Sequence, residues 1–236
     1  MNQLDENQVR NFYEAVPSVW PDDDMWHMYS RKQIEKYIQK RIIRKDGYIL
    51  NAGSGGNDYG INFRMHHVDI AKNKIEHLPN ATVASIESLP FNNETFSEVI
   101  CVGSVLNYCD AVTAIAEISR VLKKSGRLIL EFENSWGFEH INTPAYKKDA
   151  EIALLNYCGQ YQSQWLYSYN YISTILKGLG FKLVDIYRFH IISGLHYNKY
   201  HDENKAAPLA KLDGVFRYIP FVNKHSNNII LSCFKL

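Results

Sequence analysis

Residues 48–70 are the part of the chain that most constrains its fold. An apolar segment runs into a turn that contains Gly53 and Gly55, and a second apolar segment ends in Asp69. Glycine lacks a Cβ atom, so the backbone can turn tightly here and approach a ligand closely. Asp69 lies sixteen residues after Gly53, where a carboxylate can bind two ribose hydroxyls. The stretch therefore predicts an α/β sheet with a nucleoside pocket.

A dinucleotide is disfavoured as the ligand of this pocket. Dinucleotide-binding folds use the motif Gly-x-Gly-x-x-Gly, and the third glycine position is Asp58 in this chain. A carboxylate at that point would repel the pyrophosphate that such folds hold at a helix N-terminus. An NAD-dependent oxidoreductase therefore remains only as a less favoured alternative.

Helical and apolar segments alternate further along the chain, which predicts a mostly parallel sheet. Asp110 can cap a helix that ends at Gly126, and its face toward the sheet carries Ile115, Ile118 and Leu122. A later helix ends at Gly180 and carries the apolar stripe Ile172, Ile175, Leu176 and Leu179.

The first 45 residues are predicted to form helices ahead of the sheet, the second with a stripe of Ile34, Ile38, Arg41 and Ile42. Residues 22–24 are three aspartates that follow Pro21, where carboxylates stabilise a helix N-terminus. Consecutive residues point to different sides of a helix, whereas metal ligands must converge. These aspartates are therefore interpreted as capping residues, and no metal site is predicted.

Four motifs follow one another in an order typical of one family. After residues 48–70 come Ser-Ile-Glu-Ser-Leu-Pro-Phe at 85–91, a buried strand and loop at 96–108, and a helix end, turn and strand at 120–130. Together they resemble the class I S-adenosylmethionine (SAM) dependent methyltransferases, in particular the methyltransferase type 11 group. Three positions depart from the family pattern: Asn51 and Ser85 stand where an acid is customary, and Asn57 where a glycine is common.

This resemblance implies an α/β fold with a Rossmann-like, seven-stranded mixed sheet, helices on both faces and an antiparallel C-terminal strand at residues 228–234. It also implies SAM as the cofactor and S-adenosylhomocysteine as its product. The cofactor-binding residues that it implies are Tyr13, Asn51, Gly53, Ser54, Gly55, Asp69, Ile70, Ser85, Ile86 and Gly103.

The chain is predicted to form a single methyltransferase domain over residues 1–236, with its SAM-binding core at residues 46–133. Residues 1–45 are predicted to form a helical lid. Residues 134–165 and 189–227 are predicted to be substrate or lid segments, because connections longer than about 15 residues are uncommon unless they bind or cover a ligand. Candidates for the wall of an acceptor pocket are Trp20, Trp26, His27 and Tyr29.

The catalytic residues are less constrained by the sequence. Methyl transfer from a sulfonium is an in-line displacement, so alignment supplies much of the rate, and a general base is needed only for acceptors that arrive protonated. The candidates for such a base are His140, His196 and Glu133, and similar positions hold Glu131, His190 and His201.

Composition disfavours several classes of partner. The formal net charge is +1, and basic residues cluster only at 40–45, so nucleic acid is disfavoured. Cys101, Cys109, Cys158 and Cys233 are widely spaced, which disfavours zinc and a disulfide framework and favours a reducing compartment. The first residues do not resemble a signal peptide, and no run approaches about 18 apolar residues, so a cytoplasmic protein without a membrane anchor is predicted.

A small-molecule acceptor, methylated at O or N, is favoured because the lid segments hold enough aromatic residues to shape a largely apolar pocket. A non-catalytic SAM-fold binding protein is the second alternative, since Asn51, Asn57 and Ser85 alter three customary positions. The sequence leaves the oligomeric state open.

Overall fold

A central seven-stranded sheet and a separate two-stranded hairpin form the β-structure of the computed structural model, which describes residues 4–41, 47–61, 64–157 and 160–236. The strands are β1 (Ile49–Ala52), β2 (Met65–Asp69), β3 (Ala81–Val83), β4 (Phe96–Cys101), β5 (Leu122–Glu133), β6 (Ala150–Tyr157), β7 (Gln160–Tyr167), β8 (Phe181–Phe189) and β9 (Asn228–Lys235). The α-helices are α1 (Glu6–Ala15), α2 (Met25–Arg41), α3 (Lys72–Ile75), α4 (Ala111–Val121), α5 (Tyr169–Gly178), α6 (Ile192–Tyr200), α7 (Glu203–Ala206), α8 (Asp213–Phe216) and α9 (Pro220–Asn223). Short 3-10 helices span Val105–Tyr108, Phe138–His140 and Ala207–Leu212.

The central sheet has the strand order β3-β2-β1-β4-β5-β9-β8. Strands β1 to β5 are parallel, and β9 lies antiparallel between β5 and β8. The predicted mixed sheet with an antiparallel C-terminal strand is therefore confirmed. The strand order reverses between β1 and β4, and ligands of open α/β sheets bind at the carboxyl ends of the strands at such a point.

Helices pack on both faces of the sheet, as predicted. Leu50 of β1 belongs to one apolar cluster with Ile115 of α4, whereas the preceding Ile49 belongs to another cluster with Ile34 of α2. Successive side chains of a strand point to opposite faces. Helices α4 and α2 therefore cover opposite faces of β1.

Helix α4 begins where the sequence predicts and ends earlier. The carboxylate of Asp110 accepts a hydrogen bond of 2.8 Å from a backbone N–H in the first turn, which is the predicted capping role. The helix ends at Val121 rather than at Gly126, and β5 follows at once. Ser125 is left-handed (φ 57°), and a Cβ on Gly126 would lie 2.7 Å from a backbone carbonyl oxygen. The glycine therefore serves a bend at the start of β5 and does not cap the helix.

Helix α5 confirms the prediction for residues 172–180. Ile172 and Leu176 are buried against the sheet, and Gly180 follows the helix with φ 79°. Strand β8 then runs to Phe189.

The two long connections contain regular structure that the sequence pattern does not specify. Residues 134–165 hold a 3-10 helix and most of the antiparallel hairpin β6–β7, whose second strand continues to Tyr167. Residues 189–227 hold the short helices α6 to α9. Both segments therefore contain regular structure outside the central sheet rather than irregular loops alone.

The N-terminal segment forms helices α1 and α2, as predicted. Ile34 and Ile38 of the predicted stripe are buried, whereas Arg41 forms an ion pair at 2.5 Å with a carboxylate of β8. Ile42 and residues 43–45 of the basic cluster lie outside the described residues, as does Cys158. Within the described ranges, no helix has both the length and the apolar character needed to cross a bilayer.

Candidate active site

The glycine loop after β1 lies at the point where the strand order reverses. Gly53 and Gly55 have left-handed backbones, with φ of 74° and 51°. A Cβ on Gly53 would lie 2.4 Å from a methyl carbon of Val105, and one on Gly55 would lie 2.8 Å from a methyl carbon of Val19. Glycine is therefore required at both positions. Both glycines and Ser54 between them line one large cavity.

Asp69 ends β2 and faces this loop. Its Oδ2 atom accepts a hydrogen bond of 2.8 Å from the N–H of Gly55, and its Oδ1 atom accepts one of 2.9 Å from the N–H of Ala71. Burial raises the pKa of Asp69, and these two donors oppose that rise. A carboxylate has about four acceptor sites, so each oxygen can accept one further hydroxyl from the cavity that Asp69 lines.

Ile70, Ser85 and Ile86 form the next part of the cavity wall. Ile86 is buried, and the hydroxyl of Ser85 accepts a hydrogen bond of 3.3 Å from the N–H of Glu87. The Glu87 carboxylate in turn accepts one of 2.8 Å from the N–H of Asp110. This wall therefore combines an apolar surface with a polar edge, which suits a flat heterocycle.

Two left-handed residues follow β4, namely Gly103 (φ 82°) and Ser104 (φ 58°). Both of their N–H groups donate to Oε2 of the buried Glu131, at 2.8 and 2.7 Å. The side-chain amide of Asn228 donates to Oε1 at 2.8 Å. A left-handed serine costs about 1–3 kcal/mol, and these hydrogen bonds offset that cost. Burial raises the pKa of Glu131 to about 7.

Aromatic residues from two of the predicted lid segments meet over the cavity. The ring of Tyr13, from α1, lies edge-on to Tyr108 with 5.4 Å between centroids, and 6.3 Å from the ring of Tyr157 in β6. The Tyr157 hydroxyl donates a hydrogen bond of 2.8 Å to the carbonyl of Val19. All four residues line the cavity.

Asn51 does not lie where the resemblance implies. Its side chain is fully buried and is not among the residues that line the cavity. The amide donates a hydrogen bond of 2.7 Å to the carbonyl of Asn57. Asn51 therefore supports the glycine loop from beneath, because its donor is directed at the loop backbone.

Two of the three catalytic candidates also lie outside the cavity. His140 is fully buried, neither ring nitrogen has a partner among the described residues, and burial lowers its pKa to about 4. His196 lies on α6, with its ring 4.6 Å from that of Tyr200. The position of a histidine within a connecting segment does not determine which side of that segment it occupies, and the structure removes both histidines from the candidate site.

Glu133, the third candidate, does line the cavity. Its Oε1 atom accepts a hydrogen bond of 3.0 Å from the hydroxyl of Ser104. Burial raises the pKa of Glu133.

Glu139 and Glu203 also line the cavity, although the sequence did not single them out. His27, predicted only as part of a pocket wall, lies there with its Nδ1 atom hydrogen-bonded to Asp24. Asp24 also caps α2, because its Oδ1 atom accepts from the N–H groups of Trp26 and His27 at 2.9 and 3.0 Å.

Possible ligand atoms of Asp24, His27 and Glu203 all lie within 4.8 Å of one another, so this group has the composition of a cation site. The spacing Asp-x-x-His at the start of a helix is a local signal that could have identified the first two residues. Glu203 reaches them only through the tertiary fold, so no local pattern could have added it.

Comparisons with known proteins agree with this fold. Residues 40–130 match the model of the family described as "Methyltransferase domain". The uncharacterized protein MJ1252 of Methanocaldococcus jannaschii is 26% identical over 152 residues, which is 59% of this chain and 59% of that protein. The chain matches between 48% and 59% of the length of the first three curated relatives.

Solved structures share the whole architecture at low sequence identity. The [4+2]-cyclase SpnF superposes with a TM-score of 0.64 and 14% identity, covering 100% of this chain and 97% of its own. A SAM-dependent methyltransferase from Thermotoga maritima superposes with a TM-score of 0.61 and 13% identity, covering 90% of this chain and 92% of its own. Likeness at this identity establishes the fold alone. The match over residues 40–130 and this fold show that the chain is similar to the SAM-dependent methyltransferases in sequence motifs and in architecture.

Proposed function

We propose that the protein binds SAM and transfers its methyl group to O or N of a small molecule held in the same cavity. The observation that carries the proposal is the continuity of this cavity. It runs from the glycine loop and Asp69 past Gly103 to Glu133, His27 and the aromatic lid residues. Cofactor residues and acceptor residues therefore line one continuous cavity, as a direct transfer requires.

The described residues fit the cofactor. Asp69 has unused acceptor sites toward the cavity, and the left-handed Gly53 and Gly55 leave the loop without side chains that would block a ligand. Ile86 and Ile70 supply an apolar wall for the adenine ring, and Gly103 the approach to the methionine part. When bound, SAM supplies a methyl group activated by a sulfonium.

The protein itself aligns the acceptor with the methyl group, excludes water and accepts a proton from the acceptor. Tyr13 and Tyr157 cover the cavity, so a closed lid keeps water from the transfer site. Glu133 and the His27–Asp24 pair are the groups beside the cavity that can accept a proton from an acceptor. Residues 1–45, 134–165 and 189–227 are proposed as the lid and acceptor segments, because each contributes residues to this wall.

One alternative has a specific observation in its favour. The fold match to a [4+2]-cyclase covers the entire chain, so this architecture also hosts a protein that is not described as a methyltransferase. A non-catalytic SAM-binding protein would likewise keep the cofactor half of the cavity. Neither alternative requires a proton acceptor such as the His27–Asp24 pair at the acceptor end, which favours the methyltransferase.

Thermal denaturation with SAM, S-adenosylhomocysteine and NADH tests cofactor choice. A ligand at about 100 times its dissociation constant adds about 2.7 kcal/mol to the free energy of unfolding, so SAM and S-adenosylhomocysteine should raise the melting temperature and NADH should not. Mass spectrometry of a source-cell extract incubated with isotope-labelled SAM then tests for transfer. Cofactor binding without any labelled product would support a binding protein, and stabilisation by NADH alone would overturn the proposal.

A further inference from the structure

The part of the cavity near His27, here called the acceptor half, has more carboxylates than cationic side chains. Glu133 stands at the end of β5, Glu139 in the 3-10 helix that follows, and Glu203 at the start of α7. Among the described residues that line the cavity, Lys74 is the only lysine or arginine, and its ammonium donates to the carbonyl of Val16 beside the cofactor half. No lysine or arginine of the described wall therefore neutralises the three glutamates.

These carboxyl groups influence one another through the cavity. Burial, with the nearby Glu133 and Glu203, raises the pKa of Glu139 to about 8. Burial and the neighbouring Asp24 likewise raise the pKa of Glu203, although His27 opposes the rise. Buried anions of one sign are unfavourable unless a cation or a proton compensates them. In the ligand-free protein, protons on these carboxyl groups provide the compensation, and a cationic ligand can take their place.

A second, independent observation comes from β7. Gln164 lines the cavity and is only 4% exposed, yet its Oε1 atom has no hydrogen-bond partner among the described residues. A buried carbonyl oxygen without a donor costs about 1–3 kcal/mol. A ligand that donates hydrogen bonds would remove this cost, whereas a ligand that only accepts them would not.

The third observation is the orientation of His27. Its Nδ1 atom is hydrogen-bonded to Asp24, which leaves Nε2 as the nitrogen available to a ligand. The ring lies edge-on to Tyr157 with 4.8 Å between centroids, and the indole of Trp26 also lines the cavity. A histidine held by a carboxylate is the arrangement of a general base.

From these contacts we infer that the methyl acceptor is a small arylalkyl amine that enters as an ammonium, held among Glu139, Glu203 and Gln164, and that His27 removes its proton. This inference rests on the proposed function, of which it names the substrate class. An alcohol or a carboxylic acid brings no cation that could replace the protons on these glutamates. An ammonium supplies that cation, and the loss of one proton inside the cavity converts it into the neutral amine that can accept the methyl group.

The chemistry balances without a further reactant. The ammonium R–NH3⁺ transfers one proton to Nε2 of His27, and the positive charge of the imidazolium is stabilised by Asp24. The nitrogen lone pair then forms the N–C bond to the methyl group while the C–S bond breaks, and its electron pair stays on sulfur as a neutral thioether. The product is R–NH2CH3⁺, and His27 returns its proton to solvent when the lid opens.

Binding of three matched probes tests the inference without requiring turnover. Tyramine, tyrosol and 4-hydroxyphenylacetate share one ring and differ in an ammonium, a hydroxyl or a carboxylate at the end of the side chain. In the presence of S-adenosylhomocysteine and EDTA, we expect tyramine to bind at least about tenfold more tightly than tyrosol, and the acid to bind most weakly. Equal affinities for tyramine and tyrosol would overturn the inference.

Isosteric variants test which carboxylates bind the ammonium of tyramine. Glu139→Gln and Glu203→Gln should each weaken tyramine binding about fivefold or more, while S-adenosylhomocysteine binding changes less than about twofold. Glu151→Gln is the matched control, because Glu151 lies exposed on β6 and does not line the cavity. Unchanged tyramine affinity in both cavity variants would contradict the proposed ammonium-binding site.

Two further outcomes distinguish failure of the amine inference from failure of the proposed function and from a metal site. If the wild-type protein does not bind S-adenosylhomocysteine, the proposed function fails; if it does and the probes bind alike, only the acceptor class fails. The other outcome is that His27→Gln abolishes the binding of Mn²⁺ and that the preference for tyramine over tyrosol disappears. In that case Asp24, His27 and Glu203 form a metal site, and the amine inference is overturned.

Discussion

The carboxylate of Asp69 accepts a 2.8 Å hydrogen bond from the N–H of Gly55, which ties the end of β2 to the glycine loop after β1. The same side chain is thus both a part of the loop structure and the proposed ribose ligand. Substitutions at Asp69 will affect both roles, so a control variant on the same loop is needed to distinguish lost ligand binding from a disturbed loop.

Asp69→Asn should weaken S-adenosylhomocysteine binding tenfold or more, about 1.4 kcal/mol. An amide keeps one acceptor oxygen but places an NH2 group against the N–H of Gly55 or of Ala71, and it loses the charge that strengthens hydrogen bonds to hydroxyls. Isothermal titration calorimetry measures the change. Asp58→Asn is the control, because Asp58 is exposed on the same loop and does not line the cavity. Equal affinity in the two variants would place the ribose elsewhere.

Gly53→Ala should destabilise the fold by more than Gly180→Ala. Both glycines have similar left-handed φ, 74° and 79°, so the backbone cost of about 1–3 kcal/mol is common to them. A Cβ at Gly53 also meets Val105 at 2.4 Å, whereas nothing lies within 4 Å of one at Gly180. Chemical denaturation of both variants isolates the steric part. If Val105→Ala in the Gly53→Ala background recovers no stability, the clash is not the cause.

The contribution of Glu139 to the stability of the ligand-free protein should fall as the pH rises from about 4.5 to about 8. The folded state holds the Glu139 proton more tightly than the unfolded chain does, since burial raises its pKa to about 8 from an ordinary 4.5. Such a group stabilises the fold fully below its unfolded pKa, and that contribution is lost as the pH rises through the folded pKa. Glu139→Gln should flatten the pH dependence of the melting temperature, and the exposed Glu151→Gln should not. A profile as steep in Glu139→Gln as in the wild type would refute the assignment.

Removal of residues 1–15 should impair ligand binding more than it destabilises the sheet. This deletion takes away α1 with Tyr13 but leaves α2, whose Ile34 and Ile38 pack in the core. S-adenosylhomocysteine should protect α1 of the full chain from limited proteolysis, because the helix covers the cavity. Tyr13→Ala tests the ring alone, with Gln8→Ala as its control, because Gln8 is exposed on the same helix and does not line the cavity. Identical cleavage of α1 with and without ligand would argue against a lid.

The predictable part of this structure is the part specified by short-range patterns. The glycine loop and Asp69 are separated by few residues and one crossover, so their meeting follows from strand pairing between β1 and β2. Asn51 shows the limit of that reasoning. The resemblance implies that Asn51 binds the cofactor, but its buried amide donates to the backbone carbonyl of Asn57.

The acceptor half depends on contacts that no local pattern contains. Glu203 reaches Asp24 and His27 only because α7 folds back against the start of α2. His140 and Glu139 are neighbours in the chain, yet one is buried away from the cavity and the other lines it. Which of two adjacent side chains faces a ligand is decided by packing, and sequence spacing alone cannot determine it.

The place of β9 in the sheet has a consequence for the newly made chain. Glu131, which holds the Gly103–Ser104 turn, receives its side-chain donor from Asn228 at the start of β9, and β9 itself separates β5 from β8. A ribosome-bound chain that has not yet released residues 228–235 therefore lacks an interior strand, and its turn after β4 lacks one of its anchors. Pairings between distant segments form slowly because the intervening chain must first be brought together. Cofactor should consequently fail to rescue nascent chains that stop short of β9, and the exposed edges of β5 and β8 make such chains dependent on chaperones.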